Sequence, residues 1–134
     1  MKKVYIDSTL HHDWNTKFNP ELCKHLEAKG IQSYLPQRNT HQGGKPEDIF
    51  QQNVSAIRDA DALLAVASNE SPNWGVEVGY AFGLKKHLVA LAAKEHPVPL
   101  MAKSMFNEIV EVEDLDDISS YVDKLVSALN KTRS

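Results

Sequence analysis

The sequence is poor in the features that mark several classes of protein. Its 134 residues include one cysteine, Cys23, so no disulfide can form within the chain and a reducing cytoplasm is the expected location. No apolar run reaches the ~18 residues of a membrane span, and we expect neither a signal peptide nor membrane attachment. The net charge of −3 disfavours nucleic acid as a partner, because proteins that bind it usually carry a basic face.

Metal ligands are also scarce in the sequence. His11 and His12 are adjacent, but neighbouring residues of an extended segment point to opposite sides. No third ligand follows them at a spacing typical of a metal site. We therefore expect neither a metal nor another cofactor.

Predicted strands and helices alternate along the chain. Short apolar runs predict strands, whereas periodic apolar residues and capping signals predict helices. The first helix is expected to begin with Asn19 as its cap and Pro20 as its first residue. The predicted strands are residues 3–6, 31–35, 62–67, 87–92 and 108–112; the predicted helices are residues 20–29, 46–58, 74–84 and 116–129; residues 37–45 and 68–73 are predicted loops; and residues 97–106 are irregular or a short helix.

This alternation predicts a single α/β domain over residues 1–134. The expected fold is a flavodoxin- or Rossmann-like, doubly wound sheet of five parallel strands in the order 2-1-3-4-5. Ligands of such sheets bind beyond the carboxyl ends of the strands, at the point where the strand order reverses. The loops at residues 7–15 and 68–73 should line that crevice, together with the first turn of the third helix.

Glu77 lies about one turn into that third helix and is the residue that we expect to do chemistry. The helix dipole stabilises a carboxylate there by up to ~1 kcal/mol, which predicts an ionised side chain at neutral pH. Such a carboxylate can attack an anomeric carbon and form a glycosyl-enzyme. Gly75 and Gly79 flank it although glycine costs a helix ~1 kcal/mol, so we expect them to allow close approach of backbone and ligand. Simple complementation of the dipole is the alternative for Glu77.

Two aromatic residues, Trp14 and Phe18, follow the first strand. They could cover a base by stacking on it. Packing against the protein's own core is the alternative.

Residues 73–86, NWGVEVGYAFGLKK, resemble the signature helix of the nucleoside 2-deoxyribosyltransferase superfamily, which includes the 2′-deoxynucleoside 5′-phosphate N-hydrolases. Members of this group carry a glycine-rich turn, then Glu-hydrophobic-Gly-aromatic or small-Ala, and then glycine and lysine before the fourth strand. The resemblance extends to the first strand, residues 3–6, and to residues 50–61. It covers roughly residues 2 to 92, and the last third of the chain matches only in outline.

The resemblance implies roles for several residues. Glu77 matches the family nucleophile, and Tyr5 matches a tyrosine whose hydroxyl bonds that carboxylate and helps to hold it. Ser8, Thr9 and His11 fall in the loop after the first strand, which contacts sugar or phosphate in the family.

Ser71 and Gly75 lie just before the matched nucleophile. At the position of Ser71 the transferases usually have an aspartate that binds sugar hydroxyls, whereas the nucleotide hydrolases often have serine. Serine is compatible with a nearby phosphate group. Gly75 belongs to the glycine-rich turn of the signature and is expected beside the substrate.

The sequence departs from the family pattern at Asn53. The family usually has an aspartate here that helps to protonate or orient the base, and an asparagine can form hydrogen bonds but cannot give up a proton. The general acid must then come from elsewhere, and Asp7 and Asp48 are the candidates. A base-contacting glutamine after the second strand has no clean match, although Gln37 and Gln42 are near.

The predicted function is cleavage or transfer of the N-glycosidic bond of a nucleoside, deoxynucleoside or nucleoside 5′-monophosphate. Two alternatives remain open: a non-catalytic module that binds or senses nucleotides, favoured by Asn53, and an NAD-cleaving domain of the TIR type, which also uses a glutamate. The resemblance further implies a homodimer or higher oligomer, because a neighbouring subunit usually completes the site. Residues 99–106 could supply that contribution, with Ser104 as one possibility.

Overall fold

The sheet has the predicted topology. A computed structural model describes residues 2–131 and contains five parallel strands in the order β2-β1-β3-β4-β5. The strands are β1 (Lys3–Asp7), β2 (Gln32–Tyr34), β3 (Ala62–Val66), β4 (His87–Ala93) and β5 (Glu108–Val112); the helices are α1 (Asp13–Ala28), α2 (Pro36–Asn39), α3 (Pro46–Asp59), α4 (Pro72–Gly83), α5 (Leu100–Lys103) and α6 (Val122–Asn130), with a 3-10 turn at Ile118–Ser120.

Apolar side chains form a core on each face of the sheet. Successive residues of a strand point to opposite faces, so Val4 and Ile6 join the core beneath α1 and α6, whereas Tyr5 joins the core beneath α3 and α4. The central strands β3 and β4 are buried along their whole length, as expected for parallel strands covered on both sides. Asp7 is two positions after Tyr5 and therefore also faces α4.

The first helix begins earlier than predicted. It starts at Asp13, after His12 as the cap, and Pro20 lies inside it. Proline at this position removes the N–H that would pair with the carbonyl of Thr16, but the Gln37 side-chain amide donates to that carbonyl at 2.9 Å. Asn19 is not a cap but a buried residue whose amide donates to Gln37 at 3.2 Å.

Replacement of Gln37 by alanine is expected to lower the free energy of unfolding by about 1–2 kcal/mol, because it leaves the Thr16 carbonyl without a donor. In a Pro20→Ala background the cost should shrink, since the restored backbone N–H can pair with the same carbonyl. Chemical denaturation of the single and double variants measures both values. Gln51→Ala, at an exposed position of α3, is the control, and its free energy of unfolding should stay within about 0.5 kcal/mol of wild type. Equal costs of Gln37→Ala in both backgrounds would show that the Gln37 amide does not replace the N–H that Pro20 lacks.

Other boundaries also differ from the prediction, and α4 begins at Pro72 instead of residue 74. The start of the predicted loop at residues 37–45 is occupied by the single turn α2. The final helix does not begin at residue 116, because the chain first forms a 3-10 turn in which the backbone N–H of Ser120 bonds to the carbonyl of Asp117. The short helix α5 agrees with the prediction for residues 97–106. No helix within residues 2–131 is both long and apolar enough to cross a membrane.

Candidate active site

The carboxyl ends of β1 and β3 open into a cleft beside the N-terminus of α4. One lobe of this cleft, the strand-end cavity, has a volume of about 270 Å³. The segment after β1 and the start of α4 supply most of its wall. The lining residues are Asp7, Ser8, Thr9, Leu10, His11, Pro36, Gln42, Ile49, Asn53, Ser71, Asn73, Trp74 and Glu77.

A second lobe, the helix-face cavity, lies between α3 and α4 and has a volume of about 450 Å³. Much of its lining is apolar, including the exposed side chains of Phe50 and Val76. Four residues line both lobes, so the lobes form one continuous cleft with Glu77 at their junction; these are Ile49, Asn53, Asn73 and Glu77. An apolar lobe beside a polar one fits a ligand with a flat apolar part and a hydrogen-bonding part.

Three ionisable side chains meet at the base of the cleft. Tyr5 and Asp7 point to the same face of the sheet, where α4 carries Glu77, and both are buried. The Tyr5 hydroxyl and Oδ2 of Asp7 form no hydrogen bond of ordinary geometry within the described chain, yet Glu77 lies close enough to raise the pKa of both groups. Buried polar atoms are nearly always paired, and Glu77 is the carboxyl group that both of these atoms face.

The electrostatics of this cluster place a proton on Asp7. Burial raises the pKa of the Asp7 carboxyl well above its usual range, and the charge of Glu77 raises it further. Burial also raises the pKa of Glu77, but Asp7 and Tyr5 face its carboxylate as proton donors and lower it. Two carboxyl groups this close share a proton in a poorly solvated site. Asp7 is the more deeply buried of the two, so the shared proton favours Asp7 and the negative charge favours Glu77.

The helix dipole does not decide the charge of Glu77. The dipole of α4 predicts a lowered pKa, whereas burial, the largest influence, raises the pKa of Glu77. Hydrogen bonds from Asp7 and Tyr5 act in the opposite direction. Burial and the nearby Glu77 also raise the pKa of Tyr5, so its hydroxyl keeps its proton and is available as a donor.

Ser8 and Thr9 are held by hydrogen bonds that shape the loop after β1. Ser8 Oγ donates to Asn19 Oδ1 at 2.6 Å, and Thr9 Oγ1 donates to the Asn69 carbonyl at 2.8 Å. The Thr9 hydroxyl also accepts from the backbone N–H of Ser71 at 3.2 Å. These bonds join the loop to α1 and to the segment before α4, so both residues line the strand-end cavity in fixed positions.

The N-terminus of α4 faces the strand-end cavity. Ser71 is its cap, with Oγ accepting from the backbone N–H of Trp74 at 3.4 Å. The first turn of the helix contains no acidic residue, and the exposed His11 lines the same cavity. Helix N-termini attract anions through their free N–H groups and their dipole, so this end of the cleft suits an anionic group.

Asn53 and Asp48 both lie on α3, but only Asn53 reaches the cleft. Asn53 lines both lobes, and its Oδ1 accepts a hydrogen bond from Thr40 Oγ1 at 2.5 Å. Asp48 is exposed in the first turn of the helix and lines neither lobe. Of the two acids considered as proton donors, only Asp7 is therefore at the site.

No other part of the chain within residues 2–131 approaches Gly75 or Gly79 closely, so the expected approach of backbone is absent, while the approach of a ligand stays a prediction. A Cβ atom built at either glycine would have no atom within 4 Å other than its own helix backbone and chain neighbours. Gly75 is exposed and lines neither lobe, because it lies on the outer side of α4 while Trp74 and Val78 are buried against the sheet.

Other candidates lie away from the cleft. Trp14 and Phe18 stack on each other with ring centroids 4.5 Å apart and pack against the core beneath α1 and α6, so packing is the correct alternative for them. Ser104 is exposed, and no residue of the segment 99–106 lines either lobe of its own chain; its contribution to a neighbouring subunit stays a prediction. Within residues 2–131, no three His, Cys, Asp or Glu side chains form a group that could hold a metal ion.

Asn73 and Trp74 line the cleft but were not predicted as site residues. They precede Glu77 by four and three positions, the spacing that places residues side by side on a helix, and this spacing could have identified them. Nε1 of Trp74 is buried without a hydrogen-bond partner in the described part of the chain. Of the two nearby glutamines, Gln42 lines the strand-end cavity, whereas Gln37 bonds to α1.

A doubly wound parallel sheet with a buried carboxyl pair and a helix N-terminus at its switch point defines an α/β enzyme for a small ligand. Residues 4–126 match the nucleoside 2-deoxyribosyltransferase family, and the chain belongs to this family. It is accordingly an enzyme that cleaves or transfers N-glycosidic bonds. This membership favours the enzyme over the non-catalytic module and over the TIR-type domain.

Individual relatives agree with the family assignment. A Thermofilum pendens protein assigned as a 2′-deoxynucleoside 5′-phosphate N-hydrolase is 25% identical over 135 residues, covering 95% of this chain and 94% of that protein. The structure of a 2-deoxyribosyltransferase from Bacillus psychrosaccharolyticus has a TM-score of 0.71 at 18% identity, covering 92% of this chain and 95% of the other. A CMP N-glycosidase from Clostridium botulinum gives a TM-score of 0.69 at 19% identity, covering 92% and 98%. At these identities the structural matches establish the shared fold.

Proposed function

We propose that this chain cleaves the N-glycosidic bond of a nucleoside 5′-monophosphate through a glycosyl ester on Glu77. The observation that carries the proposal is the position of Glu77 at the junction of the two lobes, beside the buried carboxyl group of Asp7. A Glu77 carboxylate oxygen attacks C1′, and the base leaves with the electrons of the C1′–N bond. Water, or a second base, then attacks C1′ and releases the carboxylate.

The shape of the cleft supports separate positions for the sugar and the base of the substrate. The sugar lies at the junction, within reach of Glu77. The base occupies the helix-face cavity, whose apolar walls suit a flat ring. Tyr5 and Asp7 act as positioning residues that hold the Glu77 carboxylate in place.

The strand-end cavity supports a phosphate on the substrate. It combines the N-terminus of α4, the cap Ser71 and the exposed His11 with a loop that the hydrogen bonds of Ser8 and Thr9 hold in place. The Thermofilum and Clostridium relatives are both named for nucleotide substrates, which agrees with a phosphate site.

Replacement of Ser71 by aspartate tests the phosphate site with little risk to the fold. Aspartate caps a helix about as well as serine, but its charge opposes a phosphate at the same helix end. We expect kcat/KM for the 5′-monophosphate to fall about 10- to 100-fold, the usual range of such a coupling, while kcat/KM for the nucleoside stays within a few-fold. Steady-state assays of both substrates measure the ratio. Ser71→Asn, a neutral cap, is the matched control; equal losses on both substrates would contradict a phosphate at this position.

The proposed function itself is tested by a panel of ribo- and deoxyribonucleosides and their 5′-monophosphates, with and without a free acceptor base. Released or exchanged base is separated by chromatography. We expect release from at least one monophosphate, and formation of a new nucleotide when an acceptor base is added would indicate transfer. Release from nucleosides alone would overturn the phosphate requirement, and no release from any member would overturn the function.

A further inference from the structure

A chain of hydrogen bonds leads from the core of the domain to Asn53 in the cleft. Tyr34 stacks on Tyr5 with ring centroids 5.5 Å apart and an angle of 11° between the rings. The hydroxyl of Tyr34 is 2.6 Å from Thr40 Oγ1, and Thr40 Oγ1 is 2.5 Å from Asn53 Oδ1. Thr40 is buried, so this chain is shielded from competing water.

The chain fixes the direction in which the Asn53 amide points. The 2.5 Å contact is in the range of O–H···O bonds and shorter than ordinary N–H···O bonds, so Thr40 donates and Asn53 Oδ1 accepts. The single Thr40 proton is then used, and Tyr34 must be the donor to Thr40. The NH₂ group of Asn53 has no hydrogen-bond partner among residues 2–131, and Asn53 lines both lobes of the cleft.

We propose that Asn53, oriented by Thr40 and Tyr34, donates a hydrogen bond to the departing base and thereby selects bases that leave as anions. This inference rests on the proposed function and adds a determinant of substrate choice to it. The ligand class is a nucleotide whose base presents a hydrogen-bond acceptor to α3 and carries negative charge well once released.

Release of the base as an anion does not require Asn53 to give up a proton. As the Glu77 oxygen bonds to C1′, the C1′–N bond breaks and its electron pair remains on the base. The Asn53 N–H bond stays intact and only stabilises the developing negative charge. When water later attacks C1′ of the ester, the proton that it loses compensates the base anion, so the products are neutral base, free sugar phosphate and the original carboxylate.

Pairs of substrates that differ by one fluorine test this idea. The pairs are the deoxynucleoside 5′-monophosphates of uracil and 5-fluorouracil, cytosine and 5-fluorocytosine, and adenine and 2-fluoroadenine. Fluorine stabilises a base anion but makes the base harder to protonate, so departure as an anion predicts faster release from the fluorinated member. We expect at least about a 10-fold difference, equivalent to roughly 1.4 kcal/mol in the barrier, in single-turnover rates for the pair that the enzyme accepts.

Four variants separate hydrogen bonding from proton transfer. Asn53→Asp introduces a group that can carry a proton, so the fluorine preference should shrink to under about 3-fold and activity should rise towards acid pH. Thr40→Val removes the donor that orients the amide, and the rate should fall about 10-fold for both members of a pair; Thr40→Ser should restore most of it. Gln51→Asp, an added acid at an exposed position of the same helix, should keep the wild-type preference.

The outcomes distinguish this inference from the proposed function. Equal rates within each pair in the wild type, or an unchanged preference in Asn53→Asp, would overturn the role of Asn53 while leaving base release intact. A Thr40→Val variant as fast as Thr40→Ser would overturn the orienting role of Thr40. Absence of base release from every pair would overturn the proposed function and this inference together.

Discussion

Replacement of Glu77 by glutamine is expected to lower kcat by roughly 10⁴-fold or more, the scale seen when a catalytic nucleophile is removed. Glutamine keeps the size of the side chain and can still bond to Asp7 and Tyr5, but its amide oxygen is a poor nucleophile towards C1′. Substrate binding should change little, because the lobes that flank residue 77 remain intact. Base release and KM, measured with the best substrate of the panel, check both statements.

The thermal stability of Glu77→Gln distinguishes loss of the nucleophile from loss of the fold. The pKa of Glu77 is raised in the fold by burial, so the ionised side chain costs stability that increases as the pH rises above its ordinary pKa. Glu77→Gln should therefore be as stable as the wild type or more so in thermal unfolding near neutral pH. Glu47→Gln, which changes a carboxylate exposed on α3, should be fully active. Residual activity of Glu77→Gln above about 1% of wild type would contradict the nucleophilic role, given the loss expected for a nucleophile.

Two substitutions of Asp7 that are similar in size are expected to lower kcat to very different extents. Asp7→Leu removes the donor that faces Glu77, and we expect kcat to fall about 100-fold, the scale of a slightly misplaced catalytic group. Asp7→Asn supplies an amide N–H in place of the carboxyl proton and should retain kcat within about 10-fold at neutral pH. An Asp7→Asn variant as inactive as Asp7→Leu would show instead that Asp7 gives its proton to the base.

Loss of the Asp7 proton is expected to lower both stability and activity as the pH rises. The pKa of Asp7 is raised in the folded protein. Between the ordinary carboxyl pKa and this raised value, the folded protein holds more protons than the unfolded chain. The free energy of unfolding therefore falls as the pH rises through this range. Activity should fall on the same alkaline side, where loss of the Asp7 proton puts two negative charges together. In Asp7→Asn both declines should be reduced, as measured by kcat/KM and the unfolding midpoint across a pH series. Unchanged alkaline declines in this variant would contradict a proton on Asp7.

The topology could be predicted because it depends on local patterns. Continuous apolar runs identify strands covered on both faces, and the alternation of these runs with helices leaves few arrangements of a parallel sheet. The positions of Glu77, Asp7 and Ser71 followed from that topology, since strand ends and the start of α4 meet at one edge of the sheet. The family resemblance then supplied the chemistry.

The start of α1 could not be predicted because its cause is distant in the sequence. Pro20 signals a helix start, and only the contact between Gln37 and the Thr16 carbonyl, 21 positions apart, makes it acceptable inside the helix. The Asn53 amide has a similar dependence on Thr40, a loop residue 13 positions away. Local rules for capping and periodicity contain no information about such contacts.

The electrostatics of Glu77 were also beyond a local interpretation. The dipole of α4 can be expected from the sequence, but the burial of Glu77 and its nearness to Asp7 are properties of the folded chain. Gly75 and Gly79 suggested a close approach of backbone, but no other part of the described chain lies within 4 Å of a Cβ added at either position.

Mass spectrometry of the enzyme trapped during turnover tests the role of Glu77 most directly. The substrate is a nucleoside 5′-monophosphate with fluorine at C2′, which slows breakdown of a glycosyl ester, and with a fluorinated base, which favours its formation. After acid quenching and proteolysis, we expect the mass of one sugar phosphate added to Glu77 in the wild type and no addition in Glu77→Gln. Base release without an adduct on Glu77 at any time point, or an adduct on a different residue, would contradict the glycosyl-enzyme.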